Sequence, residues 1–511
     1  FEGFMDYLSF LTLRMKNCPT MPDLDRQDYV ILNSTVNVPK AIDVLYPYER
    51  IHCMLDNDET GYKATQAIAL EYSYHVRDFS DNYRGYSDLN DYLCGKKQEQ
   101  KNSTSQVQEI NEKARHLGAE LFVLDDGWFG KRDDAGSSLG DWYSDLNKLP
   151  DGVEGLSKKI AELGLEFGLW FEPEMINKNS ELYQNHGEWV IRVPERPMSQ
   201  GRNQYVLDFS NPEVVDHIYN MIHKVLSNSK ISYIKWDMNR NITEAYGATL
   251  GAEKQGEFFH RYILGVYDLY EKLIQSFPDI LFESCASGGG RFDAGMLYYA
   301  PQCWASDDTD AVERIKIQYG TSMVYPLSSI GAHVSAVPNH QVKRMTSIGF
   351  RANVAFFGAF GYELDPNQMT EAEQSAVMEQ IQFYKKYRNV FQYGRFYRLK
   401  DPFENQGDAA WMVVSEDRKT AIVSCYKVLA TPNPKLKKVL LRGLDPQMMY
   451  VCAETGRSYY GDELMNMGLL TDMEFTGSSV RKKEVTKKNS GSDMGDFTSQ
   501  LYVLECRAQG N

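Results

Sequence analysis

Leu121-Phe-Val-Leu-Asp-Asp-Gly-Trp128 decides how the rest of the chain is read. It is a short apolar run of strand type that stops at two acids and a glycine. What precedes it is of helical type. Ser105-Gln-Val-Gln108 has the form of a capping box, Val107, Ile110 and Ala114 share a helix face, and Gly118 ends the helix before the run begins. The same unit recurs downstream. Gly152 to Leu165 leads into Phe167-Gly-Leu-Trp-Phe171, and Pro212 to Leu226, capped by Asn211, leads into Ile231-Ser-Tyr-Ile-Lys-Trp236. Further strands are expected at Ile280 to Glu283, Gln302 to Ala305, Ser322 to Pro326 and Ala352 to Phe357. The capping box Thr370-Glu-Ala-Glu373 opens a last helix that runs to about Phe391.

Strands separated by helices in this rhythm specify a parallel sheet. Seven strand candidates between residues 105 and 394 suit a (β/α)₈ barrel, hence an α/β fold, better than an open sheet. The eighth strand should precede the Ser105 helix, where Asp88 to Lys97 makes a poor strand. Residues 1–104 hold short β-type runs such as Ala67-Ile-Ala-Leu-Glu-Tyr-Ser-Tyr74, broken by Asp/Asn/Gly clusters. Residues 395–511 return to pure β texture, with runs at Ala410 to Ser415, Thr420 to Cys425, Lys438 to Leu441 and Leu501 to Glu505. They are read as a C-terminal antiparallel sandwich, with Lys482 to Gly495 as a solvated loop inside it. Three regions in 511 residues match the usual domain size of about 150.

Composition narrows the function classes. A 42% hydrophobic and 24% charged chain is an ordinary globular one, which excludes disorder and collagen. The formal charge of −15 sets nucleic acid and anionic membrane surfaces at a disadvantage, while neutral polar ligands pay no such penalty. No stretch has the length and apolarity of a membrane span. The eight cysteines are scattered singly, without C-x-x-C spacing, which reads as thiols in a reducing, cytoplasmic compartment. The chain opens on Phe1 and not on Met, which leaves room for an upstream segment.

The chemistry lies where the strands end, because the loops at the C-terminal ends of the strands build a barrel's active site. Four of the strand ends are acidic: Asp125-Asp126, Glu172-Pro-Glu174, Asp237-Met-Asn239 and Asp307-Asp308-Thr-Asp310. Any one of them can be a helix cap; four together are harder to assign so. Two facing carboxylates are the minimum apparatus for cleaving a glycosidic bond. Trp128, Trp170, Trp236 and Trp304 stand beside these acids and can pack against a sugar ring, although Trp236 and Trp304 read better as barrel wall. Lys235 supplies a cation close to Asp237. Ser287-Gly-Gly-Gly-Arg291 lacks the spacing of a phosphate loop and reads as backbone brought close to a ligand. The histidines show no metal spacing. His333 and His340 are as readily structural as functional.

Taken together, Leu124-Asp-Asp-Gly-Trp-Phe129, Gly168-Leu-Trp-Phe-Glu-Pro-Glu-Met175, Gly201-Arg-Asn-Gln-Tyr-Val-Leu-Asp208, Lys235-Trp-Asp-Met-Asn-Arg240, Glu283-Ser-Cys-Ala-Ser-Gly-Gly-Gly-Arg-Phe-Asp293 and Trp304-Ala-Ser-Asp-Asp-Thr-Asp310 resemble the motifs of glycoside hydrolase family 36 α-galactosidases of bacterial type. The resemblance implies a retaining hydrolase of small α-galactosides, with no cofactor and no metal, whose barrel lies between two β-sandwiches. It implies Asp237 as nucleophile and Asp307 as general acid/base. It further implies that Asp125, Asp126, Trp170, Arg202, Lys235, Asn239, Cys285, Gly288 and Asp308 line the galactose pocket. Family members carry a Trp-Glu-Ala-x-Tyr-Phe segment on the first barrel strand; here that stretch reads Cys94-Gly-Lys-Lys-Gln-Glu99. Residues 1–104 are accordingly expected to be a remnant of the N-terminal sandwich, through which the family forms homo-oligomers. The alternatives are an α-N-acetylgalactosaminidase or transglycosylase on the same site, or a non-catalytic sugar-binding relative.

Overall fold

The computed structural model describes residues 1–17, 27–72, 75–83, 85–96, 103–405, 407–430, 438–471 and 495–506. The chain divides into two compact units, one formed by 1–105 with 343–345 and the other by the remaining residues. Of the expected loop Lys482 to Gly495, all but Gly495 lies outside the described residues.

The first unit holds helices α1 (Phe4–Asn17), α2 (Val38–Leu45), α3 (Glu59–Tyr72) and α4 (Leu89–Cys94). Two short strands, β1 (Ile51–Cys53) and β2 (Val76–Asp78), pair in parallel. This corrects the expected β-sandwich remnant. Within α3 the buried positions are Gly61, Ala64, Thr65, Ile68 and Ala69, the i, i+3, i+4, i+7 spacing of a helix face, so the run at Ala67 is helical and not a strand. Asp88 to Lys96 is likewise no strand, Lys97 lying outside the described residues: Asp88 accepts the Asp91 N–H, and Gly95 ends the short helix α4 in the left-handed region.

The second unit opens within α5 (Ser103–Leu117), a helix that begins two residues before the expected cap. It then alternates through β3 (Leu121–Leu124), α6 (Gly152–Glu162) and β4 (Glu166–Phe171). A minor antiparallel pair of β5 (Met175–Ile176) with β6 (Tyr205–Val206) flanks α7 (Glu181–His186). Next come α8 (Pro212–Asn228), β7 (Tyr233–Trp236), α9 (Phe258–Ser276), β8 (Leu281–Ser284), α10 (Ala294–Tyr299), β9 (Gln302–Trp304), α11 (Ala311–Thr321), β10 (Ile330–Ser335), α12 (Ile348–Ala355), β11 (Ala359–Glu363) and α13 (Glu371–Tyr393). The seven long-range strands form one parallel sheet in the order β11-β10-β9-β8-β7-β4-β3. It is the curled α/β sheet of a (β/α)₈ barrel with seven strands among the described residues.

Two strand expectations fail, for different reasons. Ser322 to Pro326 is the turn after α11, with Met323 and Val324 exposed. Ala352 to Ala355 closes α12, which Ser347 caps by accepting the Phe350 N–H, and Phe356 and Phe357 turn out of it. The strands themselves are β10 and β11. A short apolar run such as the one at 352 has no period that separates a buried helix from a buried strand. The capping box at Thr370 and Glu373 is formed as expected.

After α13 come β12 (Arg395–Lys400), β13 (Ala409–Val414), β14 (Thr420–Lys427), β15 (Lys438–Val439), β16 (Met449–Cys452), β17 (Ser458–Tyr460), α14 (Gly461–Asn466), β18 (Leu469–Leu470) and β19 (Thr498–Cys506). Six of these strands make an antiparallel sheet ordered β12-β13-β14-β19-β16-β17, and β15 pairs with β18. One face of the sheet, with Trp411, Val413, Ile422, Tyr426 and Val503, shares a core with α11, α12 and α13. The other, with Met412, Val423, Tyr502 and Leu504, packs on Leu441, Leu464 and Leu469. Apolar burial on both faces explains why β13 and β14 read as unbroken hydrophobic runs.

Candidate functional site

In a parallel sheet every strand ends at the same rim, so register decides which residues meet there. Phe171, Trp236 and Ser284 are paired partners across β4, β7 and β8, and Ser284 pairs with Cys303 of β9. One step beyond that row stand Glu172, Asp237, Cys285 and Trp304, and one step before it Trp170, Lys235, Glu283 and Gln302. Alternation sends Trp236 outward, where it stacks on Tyr270 of α9 at 3.9 Å, the wall role expected for it. Trp170 takes the opposite face.

Asp237 is buried and held from several directions. Its Oδ2 accepts the indole N–H of Trp170 at 3.2 Å and the side-chain amide of Asn239 at 2.6 Å, and its Oδ1 accepts the Met238 N–H at 2.8 Å. Cys285 is also buried, and its thiol is pushed up by that burial and by the hydrogen-bonded Asp237 carboxylate, which keeps it a neutral donor. Trp170 is itself fixed, with its carbonyl accepting the Trp128 indole at 2.9 Å and its ring stacked 6.0 Å from Phe129.

Lys235 donates to Asp125 Oδ2 at 2.7 Å, so the cation's hydrogen-bonded partner is Asp125 and not Asp237. Burial alone would lower the Lys235 ammonium; Asp125 and Glu283 outweigh it and the net shift is upward. Asp126 is gripped through both oxygens by Arg132, at 3.0 and 2.8 Å. Arg132 escaped the sequence reading because it lies six residues past the acid in a loop with no periodic pattern. Arg202 and Asn203 sit at φ 49° and 60° in the turn before β6, and pairing of β6 with β5 returns that turn to the rim.

The end of β9 separates its acids by partner. Asp307 is exposed at the rim. Its desolvation and the nearby Asp237 charge raise its carboxyl, against the pull of Lys235, Arg202 and the Trp304 side chain. Asp308 accepts the Asp310 N–H at 3.0 Å within the loop, and Asp310 caps α11 by accepting from Val312 and Glu313, the cap reading that any of these acids allowed. The three glycines at 288–290 approach backbone: a Cβ at Gly289 would stand 2.6 Å from the Ala305 carbonyl and one at Gly290 2.6 Å from that of Ala286. The close approach expected toward a ligand is thus made to the neighbouring loop. His333 stands 3.9 Å from Glu363 with its ring 4.5 Å from Trp304.

Glu172 and Glu174 have no exposed surface. Glu174 is saturated by both terminal nitrogens of Arg291 at 2.8 and 2.9 Å, by Tyr262 at 2.6 Å and by Trp236 at 3.0 Å. Glu172 accepts the Asn239 N–H at 2.5 Å and the Gln204 amide at 3.1 Å. Away from this rim, in the first unit, Asp6, Asp56 and Asp88 bring carboxylate oxygens within 4.8 Å of one another, a geometry able to hold a cation. Burial and the surrounding acids push Asp56 up to about 7. No helix among the described residues is long and apolar enough to cross a membrane.

Three family models match the chain: Melibiase over residues 100–394, the glycosyl hydrolase family 36 C-terminal domain over 408–504, and Toprim-like over 1–93. The chain is 55% identical over 356 residues to the α-galactosidase AgaA of Geobacillus stearothermophilus, covering 70% of this chain and 49% of that protein. It is 50% identical over 365 residues to the α-galactosidase Mel36A of Lactobacillus acidophilus, covering 71% and 50%. The chain thus spans about half the length of the curated relatives it matches. The crystal structure of the α-galactosidase from Lactobacillus brevis superposes with a TM-score of 0.75 at 47% identity, covering 80% of this chain and 53% of that one. A substituted AgaA in complex with raffinose gives 0.74 at 49%, covering 79% and 53%. With its parallel barrel sheet and its C-terminal antiparallel sheet both lying in the matched stretches, the chain belongs to the glycoside hydrolase family 36 α-galactosidases of bacterial type.

Proposed function

We propose that the barrel hydrolyses terminal α-linked galactose from small oligosaccharides with retention, Asp237 acting as nucleophile and Asp307 as general acid/base. The observation that carries this reading is the asymmetry of the two carboxyls. Three donors fix the direction in which the oxygens of buried Asp237 face, while Asp307 is biased toward its protonated form at the rim. In the first step Asp237 attacks the anomeric carbon as Asp307 protonates the departing oxygen, and a glycosyl ester forms on Asp237. In the second, Asp307 takes a proton from water, which opens the ester. Retention needs the two carboxyl groups roughly 5 to 5.5 Å apart. The Lys235–Asp125 pair, Asp126, Trp170, Arg202, Asn239, Cys285, Gly288 and Asp308 would bind the sugar, the charged ones through its hydroxyls. The test is nitrophenol release from p-nitrophenyl α-galactoside against the α-N-acetylgalactosaminide, with the anomer of the first product followed by NMR. A first product that is β-galactose refutes retention.

Sugar binding without turnover is the second reading, favoured by the seven-stranded sheet, in which no described strand bridges the edges β3 and β11. Galactose binding by calorimetry with no nitrophenol release would select it.

A further inference from the structure

Two buried carboxyls, Glu172 and Glu174, leave the end of β4 two residues apart, and their surroundings differ in kind. Burying a carboxylate costs several kcal/mol unless a cation or a full set of donors replaces water. Glu174 has that set, including a two-pronged Arg291. Glu172, equally buried, is hydrogen-bonded by two neutral groups, the Asn239 backbone N–H and the Gln204 amide. The Asn239 whose N–H it holds is the residue whose side chain donates to Asp237 Oδ2 at 2.6 Å. The far side of that amide is met by Ser287, whose hydroxyl donates to Asn239 Oδ1 at 3.3 Å.

We propose that Glu172 is a positioning residue for the nucleophile: it anchors the Asn239 backbone so that the Asn239 amide stays on Asp237. It does so as a neutral acid. A second negative charge beside Asp237 would be buried with no cation in hydrogen-bond contact. The charged groups that face Glu172 are Asp237 and Asp126, which repel its ionised form, and Arg202, which favours it from the β6 turn. Burial and Asp237 prevail, and the carboxyl is held well above the usual range. A neutral Glu172 keeps the rim's negative charge on Asp237, where attack on the anomeric carbon needs it.

The inference rests on the α-galactosidase reading for its kinetics but not for its geometry, and the test uses both. With p-nitrophenyl α-galactoside, E172Q keeps one oxygen for the Asn239 N–H and, like the neutral acid, presents a donor to Gln204, whose amide turns its otherwise unpartnered Oε1 to accept it; the variant is expected to keep kcat within about threefold of wild type. The acidic limb of its kcat/KM profile should stay in place. E172A is expected to lose about a hundredfold in kcat with little change in KM, the scale on which small misplacements of reacting groups act. If Glu172 were ionised, E172Q would remove a charge next to Asp237 and move the acidic limb to lower pH, which overturns the neutral state. E172Q as impaired as E172A, or E172A as active as wild type, overturns the positioning role. Crystal structures of both variants read the geometry even if wild type proves inactive, an outcome that would sink the activity alone. The Asn239 amide is expected to remain on Asp237 in E172Q and to leave it in E172A; an unmoved Asn239 in E172A overturns the proposal.

Discussion

Gly288 lies against the backbone of Asp307: a Cβ at Gly288 would stand 2.8 Å from the Asp307 amide nitrogen and 2.7 Å from the Ser306 Cα. Its φ of 83° adds a second obstacle, since that conformation costs an L side chain roughly 1 to 2 kcal/mol. The glycine loop after β8 and the acid after β9 therefore occupy one another's space. Gly288→Ala should displace Asp307 and lower kcat on a raffinose-type sugar at least tenfold, with about 1 to 3 kcal/mol of destabilisation. Parallel activity and denaturant measurements check it; a stable, fully active variant would contradict the contact.

For the nucleophile the expectation is sharper. Asp237→Asn keeps the shape of the buried group but cannot form the glycosyl ester, so turnover of p-nitrophenyl α-galactoside should fall by several orders of magnitude while the fold persists. Azide is expected to recover part of the rate in Asp237→Ala. Substantial turnover by the Asn variant would sink the assignment.

Asp307 and Asp308 should separate by leaving group. Asp307→Asn is expected to impair hydrolysis of melibiose far more than that of an aryl galactoside with an acidic phenol, because only the former needs a proton on departure. Asp308 holds the Asp310 N–H in the loop, so Asp308→Asn should weaken both substrates about equally. The measurement is kcat/KM on both; the reverse pattern exchanges the roles.

The raised Asp307 carboxyl predicts the alkaline limb. Activity should fall as pH rises through the Asp307 value, and Arg202→Met, which removes a cation that favours the ionised form, should shift that limb to higher pH even as it lowers the rate. The stability sign follows. A carboxyl raised on folding contributes below its unfolded value, and that contribution is lost as pH rises through the folded one. At neutral pH Asp307 therefore costs stability, and Asp307→Asn should melt no lower than wild type. A lower melting temperature at pH 7 would contradict this.

Asp56 makes the corresponding prediction in the first unit. Its value of about 7 lies above the ordinary 3.8, so its contribution is whole below about pH 4 and lost as pH rises through 7. Hydrogen exchange in α1 to α3 should quicken between pH 4 and 7 beyond the intrinsic rate, and Asp56→Asn should flatten that trend. An unchanged trend in the variant would place the titrating group elsewhere.

What the amino-acid sequence determined by itself is local. The acids that follow Leu124, Phe171, Trp236 and Trp304 are legible because a strand end, its acid and the following turn lie within a few residues of one another. The helix caps at Asn211 and Thr370 are legible for the same reason. The apolar run near 352 is not legible as a helix because burial on all sides erases its period, the run near 322 is an exposed turn whose Met323 and Val324 only look like strand residues, and the β-type run at Ala67 folds as a helix because its burial follows 3.6. Only the tertiary structure decided the partners. Lys235 met Asp125 across 110 residues, Arg132 closed on Asp126, Arg291 reached back to Glu174 across 117, and Glu172 took hold of Asn239 across 67. Such pairs are set by strand register across a parallel sheet, where neighbours in space are separated by whole helices, and no local spacing in the chain encodes which carboxyl receives a cation and which is left neutral.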